Sequence, residues 1–509
     1  MGQDLGVCIV TPFEAPDWRL VLATIKAGAY GYLHLGRDKA RAEAALAAIT
    51  ARTSQPFGVA VSGPLPEVTL PIQVNRVILP FGEDDRTWPA DVTRVWRVHD
   101  SATAQEAIAA GASDLVISGD DAAGQGGAES TFTLFQEIWP LVADGPVKLF
   151  VQGGIGVHSA AAYLALGAAG VHLDSQVSLM PESGLSAEAK ASLGRLVGPQ
   201  TVRCQGFRVL KWPGGPKPAS VAEAEQTMQG VDPARNLLPM GQDFALATPY
   251  LQRYRHLDRL ILAIREAAVG HLRQAQYHSA LEPGSVLAEE LGVRYPIIQG
   301  PMARVSDQPQ FLSAVAQAGA MPMLAVGMAS ADELAASVEA VGAELGEHPW
   351  GVGLLGFIAP ATFAAQAQQI LQLERRPTAA VIAGGRPEQG RLFEQAGIAA
   401  FLHMPSVGLL ADALKDGAKR FIFEGRESGG HVGPTYSTTL WDLQIDELLK
   451  CEALSDLSVV FAGGIHDARS AAFVAIMAAS LSATGARVGV IMGTAYLMTE
   501  EAVSTGAIT

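Results

Sequence analysis

The chain repeats one plan twice, and that repetition limits its fold more than any other feature. Residues 11–36 (TPFEAPDWRLVLATIKAGAYGYLHLG) lie on 300–327 (GPMARVSDQPQFLSAVAQAGAMPMLAVG); each is a strand end, an amphipathic helix closing at Ala-Gly-Ala, and a second apolar strand. Further on, 118–127 (SGDDAAGQGG) lies without gaps on 424–433 (EGRESGGHVG), and 151–155 (VQGGI) on 461–465 (FAGGI). Last, 170–183 (GVHLDSQVSLMPES) matches 489–502 (GVIMGTAYLMTEEA). The offset grows from about 290 to 306, 310 and 319, as expected of a duplicated unit whose loops are shorter in the first copy.

Within each copy, short apolar or β-branched runs alternate with Ala-rich helical stretches. The first copy offers VCIV, YLHLG, GVAVSG, RVILPF, RVWRV, LVISG, KLFVQGG and VHLD. The second offers PIIQG, MPMLAV, GVGLLGF, AAVIAG, AAFLHM, RFIFEG, SVVFAGG and GVIMGT. Eight strands alternating with helices predict an α/β chain of two tandem (β/α)8 TIM barrels. An open doubly wound sheet is the structural alternative, and it would leave the regular count of eight unexplained. Gly supplies 54 of 509 residues, about 11 % against an average near 7 %, which suits many tight strand-to-helix turns.

The stretch 184–290 breaks the pattern. A Pro/Gly/Lys-rich loop (KWPGGPKPAS) is followed by LPMGQDFALA and by one expected long helix, LQRYRHLDRLILAIREAAVGHLRQ. The resulting division is a first barrel with a C-terminal cap segment over 1–275, a linker over 276–290 and a second barrel over 291–509. No equivalent of the cap follows the second barrel. Either 236–275 serves both barrels, or the chain is a segment of something longer; the second is the expectation.

Hydrophobic residues make up 49 % of the chain and charged residues 17 %, the opposite of the balance that keeps chains disordered. The net charge of −15 excludes a general nucleic-acid binder, which needs a basic face to displace counterions. Cys8, Cys204 and Cys451 stand far apart, without metal or redox spacing, which fits a reducing compartment without disulfides. No signal peptide and no apolar run of 18 residues is visible, and Gly6 stands where a myristoylation motif wants Ser or Thr. A soluble cytoplasmic protein without a membrane partner is expected.

In a (β/α)8 barrel the chemistry sits at the C-terminal ends of the strands. In the second copy, Ala462-Gly463-Gly464-Ile465 follows strand seven and Met492-Gly493-Thr494 follows strand eight. Glycines there let backbone N–H groups approach an anion, and the next helix N-terminus adds positive dipole. A tight turn alone also produces Gly-Gly; two such loops at successive strands point to phosphate. The strand-six end, Glu424 to Gly433, places His431 after Gly429 and Gly430. An imidazole there can exchange a proton near neutral pH, or simply satisfy a loop carbonyl.

IIQGPMA, EGRESGGHVG, FAGGI and MGT, in that order, resemble the nitronate monooxygenase (2-nitropropane dioxygenase) family, which includes flavin-dependent enoyl-acyl-carrier-protein reductases. The resemblance covers about 290–509 strongly and 1–275 weakly. It implies FMN, with Gly300, Pro301 and Met302 lining the flavin ring, Gly429 touching it, and Gly463, Gly464, Gly493 and Thr494 holding its phosphate. Met404, Gly430 and Ala462 complete the implied cofactor-binding set, and His431 matches the catalytic histidine. This chain has His403-Met404-Pro405 where many nitronate monooxygenases carry a Lys after the His, and Gly351 to Leu355 lacks their Asn and Thr. Both losses suit an apolar acyl chain better than a small nitronate.

In the first copy Gln125 stands in the place of His431 and Asp174 in that of Gly493. A carboxylate conflicts with a phosphate, and Gln cannot cycle a proton near pH 7. The first barrel is therefore expected to be a degenerate copy without FMN, or one with a new ligand, and the second the catalytic copy. A tandem of this kind also resembles the reductase region of some multidomain polyketide or polyunsaturated fatty-acid synthases. The resemblance implies an FMN- and NAD(P)H-dependent enoyl-thioester reductase acting on an acyl carrier protein or domain. The alternatives are a nitronate monooxygenase using O2 and a non-catalytic scaffold of a synthase. A second copy of the chain, as a homodimer, is a further candidate partner. Arg253, Arg255, Arg259, Arg265 and Arg273 offer a basic face on the expected long helix, for docking or for solvation.

Overall fold

A computed structural model describes residues 4–63, 68–82, 88–196, 200–430 and 432–508. The chain divides into two compact units, Met1–Gly270 and His271–Thr509. In the first, eight parallel strands form a closed barrel: β1 (Asp4–Val10), β2 (Ala29–His34), β3 (Phe57–Ala60), β4 (Val74–Pro80), β5 (Thr93–Val98), β6 (Asp114–Ser118), β8 (Lys148–Gln152) and β9 (Gly170–Leu173). β9 returns to β1 through Val7↔Val171, Cys8↔His172 and Ile9↔Leu173. A two-residue strand, β7 (Gly124–Gln125), lies outside the barrel and pairs with the hairpin of β10 (Thr201–Cys204) and β11 (Phe207–Leu210).

The second unit has eight parallel strands in the order of a barrel: β12 (Ile297–Gln299), β13 (Met323–Ala325), β14 (Gly351–Leu355), β15 (Ala379–Ala383), β16 (Ala399–His403), β17 (Arg420–Glu424), β18 (Ser458–Ala462) and β19 (Arg487–Met492). β12 pairs with β19 on one side. On the other it meets the residues entering β13: Met321 N–H donates to Ile297 O and Gln299 N–H to Met321 O, each at 2.9 Å. All sixteen barrel strands coincide with the apolar runs read from the sequence.

The two interiors differ. The second is apolar, with Met323, Val381, Phe401, Ile422 and Val460 among its buried residues. Leu287 and Leu291, one helical turn apart on the helix Val286–Leu291, join that core. Part of the segment expected as a linker therefore plugs the barrel. Glu290 on the same helix is an ionic clamp at the strand starts. It accepts from Arg420 Nε at 3.0 Å and pairs with Arg487 Nε at 3.4 Å. In the first barrel the ions are inside: Arg76 Nη2 donates to Asp114 Oδ1 at 2.6 Å and Arg76 Nε to Tyr32 Oη at 2.9 Å. His172 is fully buried beside Tyr32 and Phe150, with ring centroids 5.2 and 5.3 Å away.

The expected long helix is two helices, Ala247–Tyr254 and Leu257–His278. The break falls at Arg255, whose φ of 64° no helix accommodates. The arginines expected on one face are thus divided, and Arg265 Nη2 donates to Gly28 O at 2.8 Å. Among the described residues no helix is long and apolar enough to cross a membrane, no group of three or more His, Cys, Asp or Glu is placed to hold a metal ion, and the cysteines are free.

Candidate active site

The strand ends of the second unit bring the expected residues to one mouth. Gly300 N–H donates to Met492 O at 2.7 Å, which ties the end of β12 to that of β19. Pro301 lies over β14 because Gly353 has no side chain: a Cβ there would come within 2.1 Å of the proline ring. Met302 approaches the strand-eight end, where a Cβ on Gly493 would lie 3.7 Å from its sulfur. A Cβ on Gly429 would lie 3.7 Å from Thr494 Oγ1, so the strand-six loop reaches the same place. Gly430, with φ of 91°, faces open space, and Thr494 is exposed. His431 lies outside the described residues.

Gly463 and Gly464 have φ of 119° and 70°, so each would strain any other residue. A Cβ on Gly463 would also meet Ser437 Oγ at 2.5 Å and Ser428 Oγ at 3.1 Å. Ala462 is buried and its carbonyl accepts from Gly425 N–H at 3.0 Å. Glu427 fastens the loop to the following helix, Ser437–Leu448, by accepting from Ser437 N–H at 2.8 Å and Oγ–H at 2.6 Å. Met404 is buried at the end of β16, its carbonyl accepting from Gln444 Nε2 at 2.6 Å.

Two features of this mouth were not read from the sequence as functional. His403 Nδ1 donates to Glu424 Oε2 at 3.0 Å, joining the ends of β16 and β17. The carboxylate acceptor fixes a proton on Nδ1, and buried Nε2 has no hydrogen-bond partner among the described residues. Ser428 Oγ is likewise buried and without one. The signal was available, since both residues stand at strand ends beside quoted motifs. These orphaned polar atoms and the glycine cradle fit a flat, phosphate-bearing group with hydrogen-bonding edges, as FMN is.

The first unit uses the equivalent positions on itself. Asp121 holds the N-terminus of the helix Thr131–Val142 through Thr131 N–H at 2.8 Å and Oγ1–H at 2.7 Å, just as Glu427 does with Ser437. Gln125 is in the strand pair Phe207↔Gln125. Arg203 and Arg208, from the hairpin, pair with Asp120. Asp174 Oδ2 accepts from Gln152 Nε2 at 2.8 Å, Gly241 N–H donates to Ser175 Oγ at 2.9 Å, and Gln242 N–H to Asp121 O at 2.9 Å. Burial raises the pKa values of Asp121, Asp174 and Asp243, and for Asp243 the other two carboxylates add to it. The cap segment thus closes the mouth that the second unit leaves open.

The family model described as nitronate monooxygenase matches residues 285–362 and 358–508. The match lies within the second unit, whose barrel and glycine-lined mouth are thus similar to that family's sequences. A curated relative from Mycobacterium tuberculosis (strain ATCC 25618 / H37Rv) is (3aS,4S,5R,7aS)-5-hydroxy-7a-methyl-1-oxo-octahydro-1H-indene-4-carboxyl-CoA dehydrogenase. It is 31 % identical over 225 residues, 44 % of this chain and 58 % of the relative. The protein of the same description from Rhodococcus jostii (strain RHA1) is 30 % identical over 220 residues, 43 % of this chain and 56 % of the relative. This chain therefore spans a little over half the length of the curated relatives it matches. Among solved structures, FabK from Thermotoga maritima aligns at 25 % identity and a TM-score of 0.35, covering 42 % of this chain and 63 % of that one.

Proposed function

We propose that the second unit is an oxidoreductase that binds FMN at this mouth and reduces the double bond of an enoyl thioester with NAD(P)H. The observation that carries the reading is the convergence of Gly300, Gly429, Gly463 and Gly493 on one open strand-end face. Gly300, Pro301, Met302, Met404 and Gly429 would border the ring; Ala462, Gly463, Gly464, Gly493 and Thr494 would hold the phosphate, with Gly430 leaving room between. Bound there, FMN would supply hydride transfer.

The chain's own groups place and protonate the substrate. His431 delivers the proton to the α-carbon or polarises the thioester carbonyl. Glu424 keeps the His403 ring oriented, so that Nε2 is left for a hydrogen bond at the rim. Met404 and the apolar strand Gly351–Leu355 provide surface for an acyl chain rather than an anion. The thioester is supported by the curated relatives, which are named as dehydrogenases of a carboxyl-CoA. Delivery by a carrier protein or tethered carrier domain of a synthase fits, because tethering raises the effective concentration without tight docking.

The test is anaerobic. NAD(P)H should bleach the purified flavoprotein and crotonyl thioester should recolour it. Bleaching by propyl nitronate but not by NAD(P)H would replace this reading with nitronate oxidation. Protein that purifies without flavin and does not take up FMN would leave only a scaffold.

A further inference from the structure

The first unit holds a cleft at the ends of β2 and β3, beside the segment that closes its mouth. It encloses about 300 Å3 and is lined on the barrel side by His34, Arg37, Val61 and Ser62. The other wall is one face of the helix Val221–Thr227 and the residues after it, presenting Ala222, Glu225, Gln226 and Gln229. Behind Ser62 stands Arg97, 6 % exposed. Its Nη1 donates to Val61 O and to Ser62 Oγ, each at a long 3.3 Å. Among the described residues no carboxylate lies within ion-pair distance of Arg97. Buried guanidinium groups are normally paired.

The sheet register makes Arg97 the counterpart of His403. Arg97 sits opposite Val116 on β6, as His403 sits opposite Ile422 on β17, and the two copies align Val116 with Ile422. The second unit answers its imidazole with Glu424; the first has Ser118 at that place and leaves a cation.

The hydrogen bonds around Ser62 are directional. Gly36 N–H donates to His34 Nδ1 at 3.1 Å, so Nε2 carries the proton and donates to Ser62 Oγ at 3.0 Å. Burial holds this imidazole neutral, with its pKa down at about 3. Glu14 faces the same group and pairs with Arg37. Phe13 and Glu14 both have left-handed φ, 61° and 51°, and both are buried. Such backbone costs roughly 1–3 kcal/mol per residue and clusters at ligand sites. Arg37 is thus paired with Glu14, whereas buried Arg97 has only the longer-range attraction of Glu14 and Asp174, and Glu225, Gln226 and Gln229 face this wall with acceptors.

We infer that this cleft binds a small hydroxylated anion, its anionic oxygens toward Arg37 and Ser62, with the Arg97 charge behind them, and its hydroxyl donors toward Glu225, Gln226 and Gln229. This would be a new ligand for the copy expected to have lost FMN, and it does not depend on the reaction proposed for the second unit. The anionic group is a carboxylate or a phosphate monoester, two sources that separate probes distinguish.

The experiment is calorimetric titration of the full, FMN-loaded chain with D-glycerate and with glycerol 3-phosphate, at constant ionic strength. At least one probe should give a saturable isotherm with one site per chain. Arg37→Met and Ser62→Ala should each weaken it about tenfold, and Gln226→Ala, on the exposed wall, by less. Flavin content and turnover should be unchanged in all three. No saturable heat from either probe up to about 10 mM, or equal binding by the Gln226→Ala and Ser62→Ala proteins and the parent, would overturn the inference.

Discussion

The two mouths are built from the same parts and used in opposite ways. In both, a strand-six acid holds the next helix: Asp121 on Thr131 and Glu427 on Ser437. In both, a Gly-Gly pair follows strand seven with positive φ, Gly153 and Gly154 at 108° and 63°, Gly463 and Gly464 at 119° and 70°. The first unit then covers its mouth with β10, β11 and the chain to Leu246, while the second leaves glycines facing open space. The same loop geometry is therefore covered in one unit and open in the other.

The sharpest way to break this comparison is the same substitution in each copy. Gly463→Ala should abolish flavin retention, since its Cβ would meet Ser437 Oγ at 2.5 Å on backbone with φ of 119°. Gly153→Ala meets Thr131 Oγ1 at 2.6 Å and should lower the melting temperature of the first unit without changing flavin content. Flavin absorbance and calorimetry read both. Next in size, His431→Ala should keep the flavin and lower turnover by about 10²–10⁴, the usual range for acid–base help. Turnover like that of the parent would remove His431 from the mechanism.

A third test sharpens the contrast of interiors. Arg76→Leu strands Asp114 in the first core and should cost about 3–5 kcal/mol in denaturant titration, with Asp114→Leu added to it restoring much of the loss. Glu290→Gln weakens a half-buried clamp in the second unit and should cost roughly 1–3 kcal/mol. Equal costs would make the placement of ions irrelevant to the two barrels.

The last contrast is in the pH dependence of the first unit. Burial holds the His172 pKa at about 3, while an unfolded imidazole titrates near 6.5. Between those values the unfolded chain binds a proton that the folded one refuses. Stability is therefore fully present above pH 6.5 and falls as the pH drops, by about 1.4 kcal/mol per pH unit for this group. Asp243 acts in the opposite direction: its raised pKa favours the folded state in acid and loses that advantage as pH rises. His172→Leu should reduce the acid-side slope by one proton, read from urea midpoints at pH 6, 5 and 4. An unchanged slope would show that the ring is not held neutral.

Much of this architecture was legible in the sequence because it is local. Alternating apolar runs and Ala-rich helices each declare themselves within a dozen residues, and the repeat placed their ends in register. The glycines of the second mouth were legible for the same reason. The continuous helix over 251–274 was misread, because its periodicity does not register a left-handed residue at Arg255. The linker reading missed the Leu287–Leu291 pair because four-residue spacing becomes meaningful only when a barrel stands beside it.

The sequence by itself determined that one barrel plan is used twice, where each strand ends, and that only the second copy keeps His431 and Gly493. Only the tertiary structure decided that Arg208 would reach Asp120 from 88 residues away and close the first mouth. It also decided that His403 would meet Glu424, and that Arg97 would be buried with no ion-pair partner among the described residues. Such pairings depend on which loops fold over which strand ends. Local propensity carries no term for that, whereas burial makes every unmatched charge costly enough to matter.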